Sequence, residues 1–213
     1  MFKNRTDAGE QLADRLQSEG VTADIVLGIP RGALPVARPV ADALGVPLDI
    51  AVAKKMGAPN NPEYAIGAAA VDGSVWRNDE AIDRLGLDEE EVEIERDRAA
   101  ETAREKAETY RTGSAPDLTG QTVVLVDDGV ATGATVTACL RMLRDSGAAR
   151  VVLAVPVGPP DTLDRLEREA DEVIALQRPT NFRAVGQFYD EFGQVSDEEA
   201  IEYLHGEPPE QSG

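Results

Sequence analysis

Five short apolar segments, separated by stretches with helical periodicity, constrain the fold of this chain more than any other feature. They lie at residues 24–29, 48–53, 121–126, 150–157 and 172–176 and are rich in Val, Ile and Leu. Runs of this length and composition are typical of strands that are buried on both faces of a parallel sheet. Between them, apolar residues at helical spacing, such as Val136, Leu140 and Leu143, indicate helices. The alternation predicts an α/β fold with a central, mostly parallel sheet flanked by helices.

The chain is strongly acidic. Its 213 residues include 40 aspartates and glutamates against 21 lysines and arginines, which gives a formal net charge of -19. Nucleic acids and anionic membranes are bound mainly through cations, so this composition argues against both as partners. The lysines are few and stand only at positions 3, 54, 55 and 106. Abundant carboxylates with scarce lysine predict a halophilic source, because concentrated salt screens their repulsion; an ordinary acidic protein is the alternative.

Cysteine and histidine each occur once, as Cys139 and His205. A single cysteine forms no intrachain disulfide, and the two residues together supply neither a multi-histidine nor a cysteine metal site. A His-dependent hydrolase triad is also a poor explanation of the sequence. No apolar signal region or membrane-spanning segment is recognisable. We therefore expect a soluble, cytoplasmic protein.

Three segments lie outside the alternating pattern. Residues 88–111 carry interspersed acids and bases with a thin apolar stripe, which predicts a protruding, mostly solvated acidic helix. A nucleic-acid-binding arm is the alternative for this helix, although the charge balance disfavours it. The apolar run from Tyr64 to Val71 is bracketed by turn residues and predicts a hairpin-like excursion. Residues 206–213 have no apolar side chains to bury, and we predict that they are disordered.

The most informative segment is residues 123–135, Val-Val-Leu-Val-Asp-Asp-Gly-Val-Ala-Thr-Gly-Ala-Thr. An apolar strand ends in two carboxylates, Asp127 and Asp128, and a loop of small and hydroxyl residues then leads directly into a helix. Glycines permit close backbone approach, and amides at a helix N-terminus bind anions. Because a phosphate repels carboxylates, the two acids are better explained as acceptors for sugar hydroxyls. A sugar phosphate satisfies both halves of the segment; a strand–turn–helix junction with acidic caps is the alternative.

This segment resembles, over its whole length, the 5-phosphoribosyl 1-pyrophosphate (PRPP) motif of the type I phosphoribosyltransferases. In that family, four apolar residues precede two acids and a Gly-x-x-Thr-Gly-x-Thr loop. The resemblance implies that Asp127 and Asp128 bind the ribose 2- and 3-hydroxyls. It also implies that the 5-phosphate is bound by Gly129, Val130, Ala131, Thr132, Gly133, Ala134 and Thr135. The pattern of a generic nucleotide-binding P-loop is absent, and the chain is short for a PRPP synthetase, which carries a related loop.

Two basic segments gain significance beside this motif. The first, Gly-Ile-Pro-Arg-Gly-Ala at 28–33, is similar to the family's pyrophosphate loop, so Pro30, Arg31 and Gly32 are candidate contacts. The second begins with Lys54-Lys55 at the end of the strand 48–53 and is similar to a group of uncharacterised, predicted phosphoribosyltransferases. Successive strand residues point to opposite faces, so we expect one lysine, Lys55, to contact pyrophosphate. A tight turn with a surface arginine and a solvated basic pair are the respective alternatives.

Aromatic residues are concentrated near the C-terminus. Phe182, Phe188 and Tyr189 lie among polar side chains and are candidates to stack on an acceptor base; packing of a C-terminal cap is the alternative. In the family, a hood of variable sequence covers the acceptor and a mobile loop closes the site. The resemblance therefore implies one phosphoribosyltransferase domain over residues 1–205, with a lid or helical insertion at about 57–116 and a hood at about 178–204.

The resemblance implies a pentosyltransferase that moves 5-phosphoribosyl from PRPP to a nitrogenous acceptor, such as a nucleobase, and releases pyrophosphate. The family's transition state is oxocarbenium-like. Mg2+, bound mainly through PRPP rather than at a protein metal site, would share the leaving-group charge with Arg31 and Lys55.

PRPP and a small-molecule acceptor are the expected partners, and a homodimer is compatible with the family. A non-catalytic PRPP- or nucleotide-binding regulator, a phosphoribosyl hydrolase and a transferase with another acceptor stay open, and no general base is identified.

Overall fold

The structure, a computed structural model, describes residues 1–71, 75–111 and 113–206, without the side chains of residues 62, 63 and 70. In chain order its elements are α1 (Arg5–Ser18), β1 (Ile25–Gly28), α2 (Leu34–Leu44), β2 (Leu48–Ile50), β3 (Ala53–Ala58), β4 (Asn61–Ala70), β5 (Val75–Arg77), α3 (Asp79–Leu85), α4 (Glu89–Tyr110), β6 (Thr122–Val126), α5 (Ala134–Asp145), β7 (Arg150–Val157), α6 (Pro160–Leu166), β8 (Glu172–Gln177) and α7 (Asp197–His205). None of the helices in these ranges is long and apolar enough to span a membrane.

The centre of the fold is a parallel sheet of five strands in the order β2-β1-β6-β7-β8. Every residue of β1 is buried, as are residues 123–126 of β6 and 151–157 of β7. Strands of this kind require cover on both faces, which is what their uninterrupted Val, Ile and Leu content predicts. The predicted α/β fold with a central parallel sheet is confirmed.

Helices cover the two faces of this sheet. Because alternate side chains of a strand point to opposite faces, Val124 packs with α1 and α2, whereas its neighbour Leu125 packs with α5 and α6. Full burial of a side chain such as Leu125 contributes roughly 1.5–3 kcal/mol to stability. The helices α1 and α2 approach so closely that a Cβ at Gly9 would lie 2.5 Å from the carbonyl oxygen of Val36.

The register of the parallel strands brings three strand ends to one edge of the sheet. Gly28, the last residue of β1, pairs with Val126 at the end of β6 and with Ile50 at the end of β2. The residues that follow these strands therefore lie side by side. In open α/β sheets, ligands bind in the crevice outside this carboxyl edge.

The chain between β2 and β6 forms a second structural layer, in which β3, β4 and β5 pair as an antiparallel sheet. Lys54 and Lys55 lie within β3, where they pair with Ala69 and Ala68 of β4. The prediction that both lysines end a single strand over 48–53 is wrong, because the parallel strand β2 ends at Ile50. The apolar run continues through the change of sheet, so nothing in its periodicity marks the change of pairing partner.

The predicted hairpin-like excursion is confirmed. The run from Tyr64 to Val71 forms most of β4, which pairs antiparallel with β3 on one side and β5 on the other. Residues 72–74, the turn signal at its end, lie outside the described residues.

The acidic helix predicted for residues 88–111 is confirmed as α4. A reciprocal pair of hydrogen bonds between Asp88 and Glu91 caps its N-terminus, and its first turn is acidic, as the helix dipole favours. A narrow stripe is buried, as its composition predicts: Val92, Ala99, Ala100, Ala103, Ala107 and Tyr110. Through this stripe α4 packs on β3 and β4 and contacts α7. Its C-terminal turns thereby lie near the carboxyl edge of the parallel sheet.

The segment after β8, where a hood is predicted, contains a 3-10 turn at Val185–Phe188 and the helix α7. It is joined to the N-terminus of the chain, since the backbone N–H of Phe2 donates to the carbonyl oxygen of Phe188 at 2.8 Å. Of the predicted disordered tail, residues 207–213 lie outside the described residues.

Candidate active site

A cleft of about 770 Å³ opens at the carboxyl ends of β1, β2 and β6. The loop after β1 and the acid pair after β6 contribute to its lining, as their shared register requires. Two further contributions come from elements far away in the sequence: the last turns of α4, and the segment that leads into α7. The cleft therefore combines the sheet edge with parts of the inserted layer and of the C-terminal segment.

The acid pair is held by short hydrogen bonds. The backbone N–H of Asp128 donates to Oδ1 of Asp127 at 2.9 Å. Nε of Arg5 donates to Oδ2 of Asp128 at 2.7 Å, and both of these side chains are largely buried, at 12% and 16% exposure. The Arg5 guanidinium also donates to the carbonyl oxygen of Gly193 and stacks on the ring of Phe192, 3.8 Å from its centroid. Arg5 thus fixes one carboxylate and connects it to the C-terminal segment.

Burial makes ionisation of the acid pair costly. It raises the pKa of Asp127 well above the ordinary range, and the adjacent negative charge of Asp128 raises this pKa further. Burial also raises the pKa of Asp128, but the hydrogen bond and positive charge of Arg5 oppose this rise. An arrangement of this kind favours ligands that donate hydrogen bonds to the pair or bring positive charge to it.

Residues 129–135 form a loop whose backbone only glycine permits at two positions. Gly129 has φ 154°, and a Cβ there would lie 2.6 Å from Cγ1 of Val185. Gly133 has φ 77° and is the N-cap residue of α5, with no side chain capping the helix. The first amides of α5 therefore have no intrahelical acceptor. Such a helix start, with Thr132 and Thr135 exposed beside it, is suited to binding an anion.

The carbonyl groups of this loop are bound to α6. The hydroxyl of Thr162 donates to the carbonyl oxygen of Ala131 at 3.0 Å, and the Arg165 guanidinium donates to that of Thr132 at 3.2 Å. Side chains of α6 therefore satisfy these two carbonyl oxygens of the loop as hydrogen-bond acceptors. This anchoring fixes the loop before any ligand binds.

The loop after β1 lies directly against the acid pair. The peptide bond between Pro30 and Arg31 is cis. A Cβ at Gly32 would lie only 2.4 Å from Oδ2 of Asp128, so a side chain at this position would displace the carboxylate. The Arg31 side chain is 44% exposed and lies 3.7 Å from the carboxylate of Asp197. The two loops singled out in the sequence therefore meet in one cleft.

The inserted helix α4 adds polar groups to this cleft. Nζ of Lys106 donates to the carbonyl oxygen of Pro30 at 3.1 Å, and the hydroxyl of Tyr110 donates to Oδ1 of Asp197 at 2.5 Å. Partial burial lowers the pKa of Lys106, and the positive charges of Arg31 and Lys54 lower it further. Burial raises the pKa of Tyr110, and its hydrogen bond to Asp197 acts in the same direction, so this hydroxyl stays protonated.

Six of the thirteen predicted phosphate- and sugar-binding residues line this cleft. Pro30, Arg31, Gly32, both acids and Thr135 line the cleft. The structure places Lys55 elsewhere: it lines a separate hollow of about 440 Å³ between β3 and α4, with Lys54 and Arg98. The hollow and the cleft are lined by different residues, so the basic pair of β3 stands apart from the two loops.

The three aromatic residues predicted to contact an acceptor lie outside the cleft lining. Phe182 stacks on Phe188 with ring centroids 5.5 Å apart, and Tyr189 packs on Phe2 at 5.3 Å. Tyr189 is buried, and its hydroxyl donates to the carbonyl oxygen of Asp128 at 2.6 Å. These contacts are those of a packed C-terminal cap. A nearby aromatic residue that was not among these candidates, Phe192, does line the cleft.

Sequence reasoning missed several cleft residues, among them Arg5, Lys106, Tyr110 and Asp197. A signal existed for Lys106, because the scarcity of lysine that drew attention to Lys54 and Lys55 applies equally to it. For Arg5 and Asp197 no local signal exists, since each is one charged residue at the start of an ordinary amphipathic helix and reaches the cleft only through the tertiary fold.

Two other chemistries receive no support from the structure. Cys139 is buried, and burial, followed by the charge of Asp127, raises the pKa of its thiol to about 12, so it is a poor nucleophile. Among residues 1–71, 75–111 and 113–206, no group of three or more His, Cys, Asp and Glu side chains is placed to hold a metal ion.

The chain is similar to known phosphoribosyl transferases over most of its length. The family model described as phosphoribosyl transferase domain matches residues 3–192. Two Mycobacterium tuberculosis proteins, each carrying the provisional name phosphoribosyl transferase, are 46% identical over 206 residues, which is 96% of this chain and 46% of each relative. The chain thus spans about half the length of these curated relatives. The crystal structure of TT1426 from Thermus thermophilus has 41% identity and a TM-score of 0.88, covering 98% of this chain and 100% of that chain.

The family match extends over the loop after β1, the acid pair and the loop that begins α5, which are the parts of the cleft that the sequence had singled out. The chain belongs to the phosphoribosyl transferase family.

Proposed function

We propose that the protein transfers the 5-phosphoribosyl group of PRPP to a nitrogenous acceptor, a nucleobase being the first candidate, and releases pyrophosphate. The observation that carries the proposal is the meeting of the acid pair, the loop 30–32 and Thr135, at the end of the loop 129–135, in one cleft of about 770 Å³. A cleft of this size accommodates a sugar phosphate together with a second small molecule. Family membership supports the transferase activity.

In this proposal the sugar phosphate is bound by residues 127–135. Asp127 and Asp128 accept hydrogen bonds from the ribose 2- and 3-hydroxyls, and such bonds to a charged acceptor are the strong ones. The anchored loop and the first turn of α5 bind the 5-phosphate through backbone amides and the threonine hydroxyls. This distribution suits a chain of net charge -19, because it holds a phosphate without needing a basic surface.

The pyrophosphate group lies near residues 30–32, where Arg31 donates to its oxygens. Arg31 is suited to this role because its guanidinium is exposed to the cleft and permanently charged. Negative charge builds on the pyrophosphate as the bond to ribose C1 breaks, so a fixed cation here stabilises the transition state more than the ground state. Lys55 would act here only if β3 moved, because it lies outside the cleft lining.

Magnesium fits this site as an ion held mostly by the substrate. Mg2+ prefers oxygen ligands and usually takes one or two carboxylates together with substrate phosphates. Asp127 and Asp128 provide carboxylate oxygens at the cleft, and the raised pKa of each means that added positive charge is favourable there. When bound, the ion supplies positive charge to the leaving group.

The acceptor would enter beside Phe192, Gln194 and Val195, which line the cleft. Phe192 offers apolar surface there, although the Arg5 guanidinium already covers one face of its ring, and Gln194 offers an amide that both donates and accepts hydrogen bonds. Because the oxocarbenium-like transition state needs no covalent nucleophile, the protein's contribution is to position the reactants and exclude water.

The test measures pyrophosphate release from PRPP and Mg2+ in multimolar KCl, with and without a panel of purine and pyrimidine bases. We expect release that depends on one base or one class of bases. Asp128→Asn is the control, because it removes the proposed sugar contact while keeping the side-chain shape. Release without any base, with ribose 5-phosphate as product, would indicate a hydrolase. PRPP binding without release would indicate the non-catalytic regulator.

A further inference from the structure

The inserted helix α4 presents one polar face to the cleft. Lys106, Thr109 and Tyr110, at spacings of three and four residues, all contribute to its lining. This helix belongs to the layer between β2 and β6 and is not part of the central sheet. Part of the cleft lining therefore comes from a helix that lies outside both sequence motifs, the loops 30–32 and 129–135.

Lys106 lines the cleft together with a second cation, Arg31. Its ammonium donates to the carbonyl oxygen of Pro30, the residue before Arg31, at 3.1 Å. Cations at the cleft stand out in a chain of net charge -19 that has so few lysines. Like charges repel one another. The carboxylate of Asp197, 3.7 Å from Arg31, offsets part of this repulsion, and an anionic ligand would offset more of it.

The described part of the chain provides no carboxylate that forms an ion pair with Lys106, although acids abound nearby on α4. Its helix neighbours Glu105 and Glu108 are one and two positions away, and residues at these spacings do not face each other. An ammonium has three donors, and the Pro30 carbonyl takes one of them. Two donors are therefore available for a ligand in the cleft.

The same helix positions Arg31. The Tyr110 hydroxyl donates to Oδ1 of Asp197 at 2.5 Å, and the same oxygen lies 3.7 Å from Nη1 of Arg31. A hydrogen bond from Tyr110 holds Asp197 in place, and Asp197 in turn attracts Arg31. Through Lys106 and Tyr110, α4 thus reaches the loop 30–32 at two points.

From these contacts we infer that Lys106 is a catalytic residue that binds the pyrophosphate oxygens of PRPP, together with Arg31. The inference rests on the proposed function, since it assigns a residue of the inserted layer to the leaving group of that reaction. Two donors from one ammonium complement the planar guanidinium of Arg31, so the leaving group is held from two elements of the fold. The carbonyl of Pro30 fixes the direction of the lysine side chain.

The experiment measures binding of three ligands by calorimetry, each with Mg2+ in multimolar KCl: PRPP, inorganic pyrophosphate and ribose 5-phosphate. Lys106→Gln should weaken pyrophosphate and PRPP binding by about tenfold or more, as expected for loss of a charged hydrogen bond, and leave ribose 5-phosphate binding unchanged. Lys106→Arg should restore much of the pyrophosphate affinity. The matched control is Arg104→Gln, which removes one positive charge from the same helix at an exposed ion pair with Glu101.

The outcomes distinguish failure of the proposed function from failure of the Lys106 assignment. If the wild-type protein binds neither PRPP nor ribose 5-phosphate, the proposed function fails, and the inference fails with it. If the wild-type protein binds all three ligands and Lys106→Gln keeps full pyrophosphate affinity, the inference alone is overturned. Equal weakening of ribose 5-phosphate and pyrophosphate would also overturn it, because that result indicates a general structural role for Lys106.

Discussion

The segments 127–135 and 106–110 both contribute residues to the lining of the same cleft, but they reach it in different ways. The first segment is contiguous, follows directly from a strand of the central sheet and carries its full pattern in the sequence. The second is the end of an acidic helix whose place at the cleft depends on the antiparallel sheet beneath it and on α7 beside it. A site segment that is contiguous in the chain can therefore be recognised from its sequence. Site residues that reach the cleft through tertiary packing, such as those of α4, are identified only from the structure.

The acid pair provides the strongest way to test the contiguous half. We expect Asp127→Asn and Asp128→Asn each to reduce kcat/KM with PRPP by about ten- to a hundredfold, because each removes a charged hydrogen-bond acceptor. Steady-state pyrophosphate release checks this. Full activity in both variants would remove the acid pair from the site.

Asp127→Asn should also stabilise the protein at pH 7. The pKa of Asp127 is raised on folding, so its protonated form favours the folded state below about pH 4, and that contribution is lost as the pH rises through the folded-state pKa. The amide cannot ionise and avoids this loss. Thermal unfolding should therefore show a higher Tm for the variant at pH 7 and a smaller difference at pH 4. A lower Tm at pH 7 would contradict the account of the buried pair.

Contact between the two loops gives the next largest effect. Gly32→Ala places a Cβ 2.4 Å from the Asp128 carboxylate and must displace it, so we expect PRPP affinity to fall by about tenfold. Gly113→Ala is the matched control, since no atom lies within 4 Å of a Cβ there and its φ is not in the left-handed region. Calorimetric titration of both variants with PRPP makes the comparison. Equal affinities would show that the loops do not depend on each other.

Substitution of Arg5 tests whether a residue far from the acid pair in the sequence controls the pKa of Asp128. Arg5→Met removes the group that opposes the rise of the Asp128 pKa, so this pKa should increase and the acid limb of the pH–activity profile should move to higher pH. Activity at neutral pH should fall by a few-fold. Arg15→Met is the control, because it breaks only an ion pair with Glu19 on the same helix. If the acid limb of the pH–activity profile does not shift in Arg5→Met, ionisation of Asp128 does not cause that limb.

Lys55→Ala should have the smallest effect. Lys55 lines the hollow between β3 and α4 and not the cleft, so we expect kcat and pyrophosphate affinity to change by less than about twofold. Parallel measurement of Lys55→Ala and Lys106→Gln compares the lysine that the sequence suggested with the one that the fold suggests. A larger loss in Lys55→Ala would favour the sequence-based assignment and require β3 to move towards the cleft.

The sequence was sufficient for the parallel sheet and for the loops at its carboxyl edge, because burial on both faces forces uninterrupted apolar strands and the site loops follow directly from them. It was insufficient where one apolar run crosses two sheets, as between Ile50 and Ala53. It was also insufficient for the aromatic residues, because the same ring can stack on a ligand or on a neighbour. Phe188 stacks on Phe182, whereas Phe192, four residues further along the chain, lines the cleft.

The most direct test of the central claim is a crystal structure of the protein with Mg2+ and PRPP, grown in concentrated KCl. The account predicts the 5-phosphate on residues 129–135, the ribose hydroxyls on Asp127 and Asp128, and the pyrophosphate between Arg31 and Lys106. PRPP bound in the hollow beside Lys54 and Lys55, with no ligand atom in contact with Asp127 or Asp128, would contradict it.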